Sequence, residues 1–330
     1  MTQERPTHPM APLGREHDET FSSADFDGFW DRTLAQARGF ELSVRIDRID
    51  SPVKTIDVFD VSFSGFQGEE VKGWLRRPRG CPEQAAAVVE FVGYGNGRGE
   101  HIDNLLWSSA GYAHLTMDTR GQGSVHSPGH TADSHGSGPS VPGFASRGLT
   151  DPAHYYYRRL IVDAVRAVDA MRSLGGIDPS RVALFGASQG GGVALAVAGL
   201  VPDLAAVVAK VPFLCDIPRA LALAESGPYM EIVEWLGTHV HREQEAMRAL
   251  SYVDAVNFGP RATAPALFSA GLRDTVCPAP TVSRAFDAYA GGKELRIWKY
   301  GGHSGGGSTE DLDVLRFLDT HLGGQRHRPA

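Results

Sequence analysis

From residue 85 onward, short apolar runs alternate with longer stretches in which apolar positions recur every three or four residues. The short runs are "AAAVVEFVG", "YAHLTMD", "RVALFG", "LAAVVAKVP", "APALFSAG" and "ELRIWKY". They are β-branched or aromatic in part and suit strands buried on both faces. The clearest helical pattern is "DPAHYYYRRLIVDAVRAVDAMRSLGG". In it Asp151 is a candidate N-cap, Pro152 fits the first helical position, Ile161, Val165 and Val168 share a face, and Gly175 and Gly176 stop the helix. Strands alternating with helices predict an α/β fold with a mostly parallel central sheet and helices on both faces.

The chain before residue 85 has a different texture. "KTIDVFDVSFSG" and "EEVKGWLRRP" alternate apolar and polar residues around a turn marked by Gly65 and Gly68, and read as an antiparallel hairpin at the edge of the sheet. "SADFDGFWDRTLAQAR" reads as a short amphipathic helix with Ser23 as its candidate cap. The stretch 124–147 is a long polar loop of the kind that often carries function. The segment 212–255 is helix-rich and breaks the strand–helix rhythm, so it is expected as an insertion over one face. With no internal repeat and no linker, residues 21–322 are expected to form a single domain, with loose ends at 1–20 and 323–330.

Composition narrows the function classes. The 330 residues are 42% hydrophobic and 22% charged, ordinary for a globular chain with a sizeable core. The net charge of −7 and the lack of a basic cluster argue against nucleic acid or an anionic membrane as the main partner. Three cysteines, Cys81, Cys215 and Cys277, lie far apart with no CxxC, the pattern of a reduced, cytoplasmic protein. The N-terminus lacks the apolar core of a signal peptide, and no apolar run reaches the ~20 residues a membrane helix needs.

The strongest local signal is "RVALFGASQGGG". A strand runs into Gly186-Ala187-Ser188-Gln189-Gly190, and a helix of small residues follows. This is the GxSxG nucleophile elbow in its required strand–turn–helix context. Glycines are needed because flanking side chains would collide with the strand and the helix. Ser188 then projects at a helix N-terminus, where the Gln189 backbone N–H faces a developing oxyanion. A phosphate-binding turn is disfavoured, since no lysine follows as in a P-loop and no GxGxxG is present.

A serine nucleophile needs a base. In the α/β-hydrolase order the acid and then the histidine follow the serine. "APALFSAGLRDTVCPAP" supplies a buried-type strand and then Asp274; "ELRIWKYGGHSGGG" supplies the next strand and then His303. Asp274 would hold the imidazole tautomer, and His303 would take and return the Ser188 proton. A second oxyanion donor should follow an early strand, and Tyr94 in "VVEFVGYGNGRGE" fits by its backbone N–H, with its ring walling the acyl pocket.

With these residues the chain resembles the acetyl xylan esterase and cephalosporin C deacetylase family over about residues 20–320. The signatures RGQ, GxSQG and HE read here as Arg120-Gly121-Gln122, Gly186-Ala187-Ser188-Gln189-Gly190 and His303-Ser304. "DFDGFW", "DPAHYYYRRLIVDAVRAVDA", "VPFLCDIPRA" and "GLRDTVCP" share the likeness. The resemblance implies a triad of Ser188, Asp274 and His303, with Tyr94 and Gln189 giving oxyanion N–H groups. It implies hydrolysis of acetyl esters of short xylo-oligosaccharides, simple sugars and cephalosporin C, with no metal or other cofactor. It also implies a ring-like homohexamer, with 212–240 a candidate interface or entrance element. Arg120 and Gln122 read as scaffold at a strand-end turn. The chain departs from the family at Ser304, where a glutamate is common. His126, His130 and His135 match no standard zinc spacing and read as part of a solvated loop, with a place at the entrance as the alternative. The competing readings are an acyltransferase, a short-chain carboxylesterase with another natural ester, a prolyl oligopeptidase-type peptidase and a non-catalytic binding protein.

Overall fold

The structure is a computed structural model that describes residues 21–135 and 140–323. The expected loose ends thus lie outside the described residues, apart from Gly323. Nine strands are described: β1 (Arg45–Arg48), β2 (Ile56–Ser64), β3 (Glu70–Pro78), β4 (Ala85–Phe91), β5 (Ala113–Met117), β6 (Ile177–Ala187), β7 (Ala206–Lys210), β8 (Ala266–Gly271) and β9 (Lys293–Trp298). They form one sheet in the order β1-β2-β3-β5-β4-β6-β7-β8-β9. Pairings from β1 to β5 are antiparallel, and the rest are parallel. The helices are α1 (Phe26–Arg38), α2 (Leu106–Ser109), α3 (Tyr156–Ser173), α4 (Gln189–Leu200), α5 (Ile217–Leu223), α6 (Pro228–Thr238), α7 (Glu243–Ser251), α8 (Ala255–Phe258), α9 (Ala279–Ala288) and α10 (Gly307–Leu322). This is the α/β-hydrolase architecture expected from the sequence.

The continuous apolar runs are explained by β4, which is buried at all seven positions. Ala87, Val89 and Phe91 face the larger core with α1, α3 and α4, whereas Ala86 and Val88 face a second core closed by Trp107 of α2 and Val314, Phe317 and Leu318 of α10. Helix α3 lies so deep that Arg159, Asp163 and Arg166 are buried along with its apolar residues. The hairpin pairs in register from Ile56 opposite Pro78 to Ser64 opposite Glu70.

Four details depart from expectation. Strand β1 carries no apolar signal, because all four of its residues are exposed; its backbone pairing to β2 and the Arg45–Glu70 ion pair hold it as a charged sheet edge. Strand β9 is the opposite edge and only half-buried, so its apolar run is not a two-sided one, and it ends at Trp298 rather than at Tyr300. Ser23 does not cap α1 with its side chain, which pairs with the Ser251 hydroxyl at 2.8 Å. Helix α3 begins at Tyr156: the Asp151 carboxylate instead takes the Ala153 N–H and His154 Nδ1 and closes a separate turn.

The loop after β5 is less solvated than its composition suggests. Thr131 and Asp133 are buried within it. Asp118 accepts from Arg98 N, His130 N and Thr131 Oγ1, while Asp133 takes Arg159 at 2.9 Å. Between β7 and β8, helices α5 to α8 occupy the segment that broke the sequence rhythm. Strand β5 lies on one side of β4 and β6 on the other, so the chain changes direction between β4 and β6. In open α/β sheets, ligands bind beyond the strand C-termini at such a switch point.

Candidate active site

Ser188 stands at this point, between the end of β6 and the start of α4. Its backbone is left-handed, with φ 55° and ψ −120°, a conformation costing ~1–3 kcal/mol for a residue with a Cβ. The surroundings enforce it. Ser188 N–H donates to the Lys210 carbonyl at 2.9 Å, and the Ser188 carbonyl accepts from Phe213 N–H at 2.9 Å and Gly192 N–H at 3.1 Å. The flanking glycines are required by close approach: a Cβ on Gly186 would strike the Gly190 carbonyl, and one on Gly190 would strike the carbonyl of Phe91.

Asp274 and His303 converge on this turn from loops after β8 and β9. His303 Nε2 lies 2.9 Å from Ser188 Oγ, and His303 Nδ1 lies 2.9 Å from Asp274 Oδ2. The other oxygen of Asp274 accepts the Val276 and Cys277 N–H groups at 2.8 and 2.9 Å, which fixes a fully buried carboxylate. Such a chain of groups can draw the serine proton onto the imidazole while the carboxylate holds the opposite ring N–H. Cys277 is a neighbour that the sequence reading did not single out. Burial pushes its thiol well up, the Asp274 charge adds to this, and a hydrogen bond with Ser188 opposes it.

Gln189 follows Ser188 directly, and Tyr94 lies in the loop after β4. Neither backbone N–H donates to another protein group among the described residues. The Tyr94 ring has a second task. Its hydroxyl donates to Glu231 of α6 at 2.6 Å and accepts from the N–H groups of Gly143, Phe144 and Ala145 at 3.1, 2.8 and 3.2 Å. Burial, then the Glu231 hydrogen bond and charge, raise the phenol well above its ordinary range. Burial likewise raises the Glu231 carboxyl, with the Tyr94 bond opposing. Glu231 went unnoticed in the sequence because its partner lies 137 residues away.

Gln122 and Gln189 meet below the elbow. Gln122 Nε2 donates to Gln189 Oε1 at 2.9 Å and to Tyr156 Oη at 3.0 Å, and its Oε1 accepts the Gly95 N–H at 2.6 Å. Tyr157 also donates to Gln189 Oε1, at 3.0 Å. This buried mesh fixes the loop that carries Tyr94. Arg120, fully buried, forks onto Asp163 at 2.6 and 2.8 Å and reaches Glu69 at 2.6 Å, and these carboxylates hold it in the charged form. Among the described residues neither Arg120 nor Gln122 forms a hydrogen bond with Ser188. His126, His130 and His135 are exposed, and among the described residues no cluster of three or more ligating side chains could hold a metal ion.

A model of the acetyl xylan esterase (AXE1) family matches residues 9–321. The chain belongs to the acetyl xylan esterase family. This is a family of carboxylic ester hydrolases. The acetyl xylan esterase from Paenibacillus sp. R4 is 36% identical with a TM-score of 0.85, over 92% of this chain and 96% of that one. Acetyl xylan esterase 1 from Thermoanaerobacterium sp. JW/SL YS485 is 30% identical with a TM-score of 0.82, over 90% and 94% of the two chains. The acetyl esterase Axe7A of Xylanibacter ruminicola is 28% identical over 268 residues, 80% of this chain; the match spans 59% of that longer relative. A prolyl endopeptidase at 20% identity and TM-score 0.62 shares the fold over 84% of this chain and 40% of its own.

Proposed function

We propose that this member of the acetyl xylan esterase family is a serine esterase that removes acetyl groups from small esters through an acetyl-enzyme. The observation that carries this reading is the pair of 2.9 Å hydrogen bonds linking Ser188, His303 and Asp274. Ser188 Oγ attacks the ester carbonyl as its proton passes to His303 Nε2. Asp274 keeps the other ring proton on Nδ1 and stabilises the imidazolium. The N–H groups of Tyr94 and Gln189 receive the oxyanion. The alcohol leaves with the proton from His303. Water then gives a proton to His303 as it attacks the acetyl carbon, and acetate departs while Ser188 regains its hydrogen.

The substrates we assign are acetylated xylo-oligosaccharides and sugars, with cephalosporin C-like acetates as further members of the class. The names of the similar proteins favour sugar acetates. So does a cavity of about 350 Å³ that borders Gly93 and Ala187 and is lined by Asn96, Asn104 and His126, side chains suited to a hydroxyl-rich alcohol. We further propose a homohexamer and a cytoplasmic location, the latter supported by the three free cysteines. No helix among the described residues is long and apolar enough to cross a membrane. The deciding experiment assays Ser188→Ala and the parent on acetyl, propionyl and butyryl esters, acetylated sugars and cephalosporin C. The expected result is loss of all ester cleavage in the variant and a steep fall beyond acetyl in the parent. Cleavage by Ser188→Ala at the parent's rate refutes the reading, and transfer of the acetyl group to an added alcohol in preference to water would make the protein an acyltransferase.

A further inference from the structure

His303 sits among five glycines, Gly301, Gly302, Gly305, Gly306 and Gly307. Fixing one residue's backbone costs ~1–2 kcal/mol, and glycine lies at the costly end. The loop's backbone bonds are Gly301 N–H to the Trp298 carbonyl at 3.1 Å, Gly305 N–H to the Gly302 carbonyl at 3.0 Å, Gly307 N–H to the Ser304 carbonyl at 3.3 Å, and Arg273 N–H to the Gly301 carbonyl at 2.9 Å. Ser304, next to the histidine, is exposed and offers no charge. A different carboxylate lies beneath the loop. Glu310, 1% exposed in the first turn of α10, accepts the Gly306 N–H at 2.8 Å. Gly306 is the N-cap of that helix and has no side chain of its own to offer, so Glu310 reaches back from one position beyond the N3 site of a capping box to take its N–H.

Lys210 connects this arrangement to the nucleophile. Its carbonyl receives the Ser188 N–H at 2.9 Å. Its ammonium, nearly buried, donates to Asp311 at 2.7 Å and lies 3.9 Å from Glu310 Oε2. One residue therefore grips the serine turn by its backbone and, by its side chain, the helix that follows the His303 loop. We propose that Lys210, Glu310 and Asp311 are positioning residues that hold the His303 loop against the Ser188 elbow. Glu310 and Asp311 supply the anchoring charge from α10, and Lys210 answers it from the end of β7. This rests on the reading of Ser188 and His303 as nucleophile and base.

The test uses the full-length protein with Glu310→Ala, Glu310→Gln, Lys210→Met and Lys210→Arg, beside Ser188→Ala as a control. Steady-state kinetics on an aryl acetate are read together with hydrogen exchange of the 299–307 amides and thermal unfolding. Glu310→Ala and Lys210→Met should lower kcat by about tenfold or more with KM changed less than about twofold, and should speed exchange at the loop while the rest of the protein stays protected; tenfold corresponds to ~1.4 kcal/mol of lost transition-state stabilisation. Lys210→Arg should retain most of kcat. Glu310→Gln, which keeps the Gly306 acceptor but loses the charge, should fall between. Unchanged kcat and loop exchange in Glu310→Ala, with Ser188→Ala inactive, overturns the positioning role. Activity persisting in Ser188→Ala overturns the catalytic reading instead.

Discussion

Replacing Tyr94 by phenylalanine separates the two tasks given to this residue. The ring survives, together with its edge-on contact to Phe144 at 5.8 Å, and so does the backbone N–H. Only the hydroxyl is lost. Glu231 then loses a 2.6 Å donor but keeps the Ala145 N–H at 3.3 Å, and it is half-buried, so the lower part of the ~1.5–3 kcal/mol range for a charged hydrogen bond applies. Phe144, fully buried, loses the acceptor of its N–H at 2.8 Å, a cost of ~1–3 kcal/mol. A phenol oxygen has two lone pairs, so the three N–H groups it faces do not each carry a full bond. The sum is about 3 kcal/mol of stability. At about 2 °C per kcal/mol for a chain of this size, Tm should fall by about 6 °C. Catalysis should suffer far less: kcat should drop only several-fold, against the ~10²–10³ expected when an oxyanion donor itself is removed. Calorimetry and steady-state kinetics on an aryl acetate measure both. An unchanged Tm would refute the strap from Tyr94 to α6 and the 143–145 loop. A thousandfold loss of kcat would refute the assignment of the oxyanion role to the backbone alone.

Other substitutions probe other links. In Asp274→Asn the side-chain oxygen keeps the Val276 and Cys277 N–H groups, which turns its amide toward His303 Nδ1 and selects the wrong tautomer; kcat should fall on the order of 10³–10⁴-fold with the protein still folded, and parental activity would exclude the orienting role. Arg120→Lys cannot reproduce the fork onto Asp163 and Glu69, and should lose ~3–5 kcal/mol in urea unfolding while the folded fraction keeps its KM. Glu231 has its pKa raised above 4.5, chiefly by burial, so its contribution to stability is present below the unfolded value and is lost as pH rises through the folded value. Glu231→Gln should therefore gain in urea midpoint relative to the parent as pH rises from about 4 to about 7, and a pH-independent difference would contradict this.

The residues carrying the candidate chemistry were legible because each is tied to a local pattern. Ser188 sits in a strand–glycine–helix turn whose steric demands are written in Gly186 and Gly190. Asp274 and His303 each follow an apolar strand, and the parallel order brings those strand ends to one side of the sheet. What was not legible depends on contacts with no local mark. Glu231 and Tyr94 meet only because α6 folds back over the β4 loop. Lys210 reads as the end of an apolar strand, and Glu310 as an ordinary charge at a helix start. Strand β1 exists through backbone pairing to β2 and the Arg45–Glu70 ion pair, and its residues are exposed. Asp151 and Pro152 are genuine cap signals, but they serve a turn that closes before α3 begins.

The central claim is that Ser188 carries the acyl group. Brief incubation with an aryl acetate, an acid quench and peptide mass spectrometry test it directly. One acetyl group is expected on the peptide containing Ser188, formed in a burst, lost with time after substrate is removed, and absent from Ser188→Ala. Turnover by Ser188→Ala at the parental rate, with no acetyl group on that peptide in the parent, would contradict it.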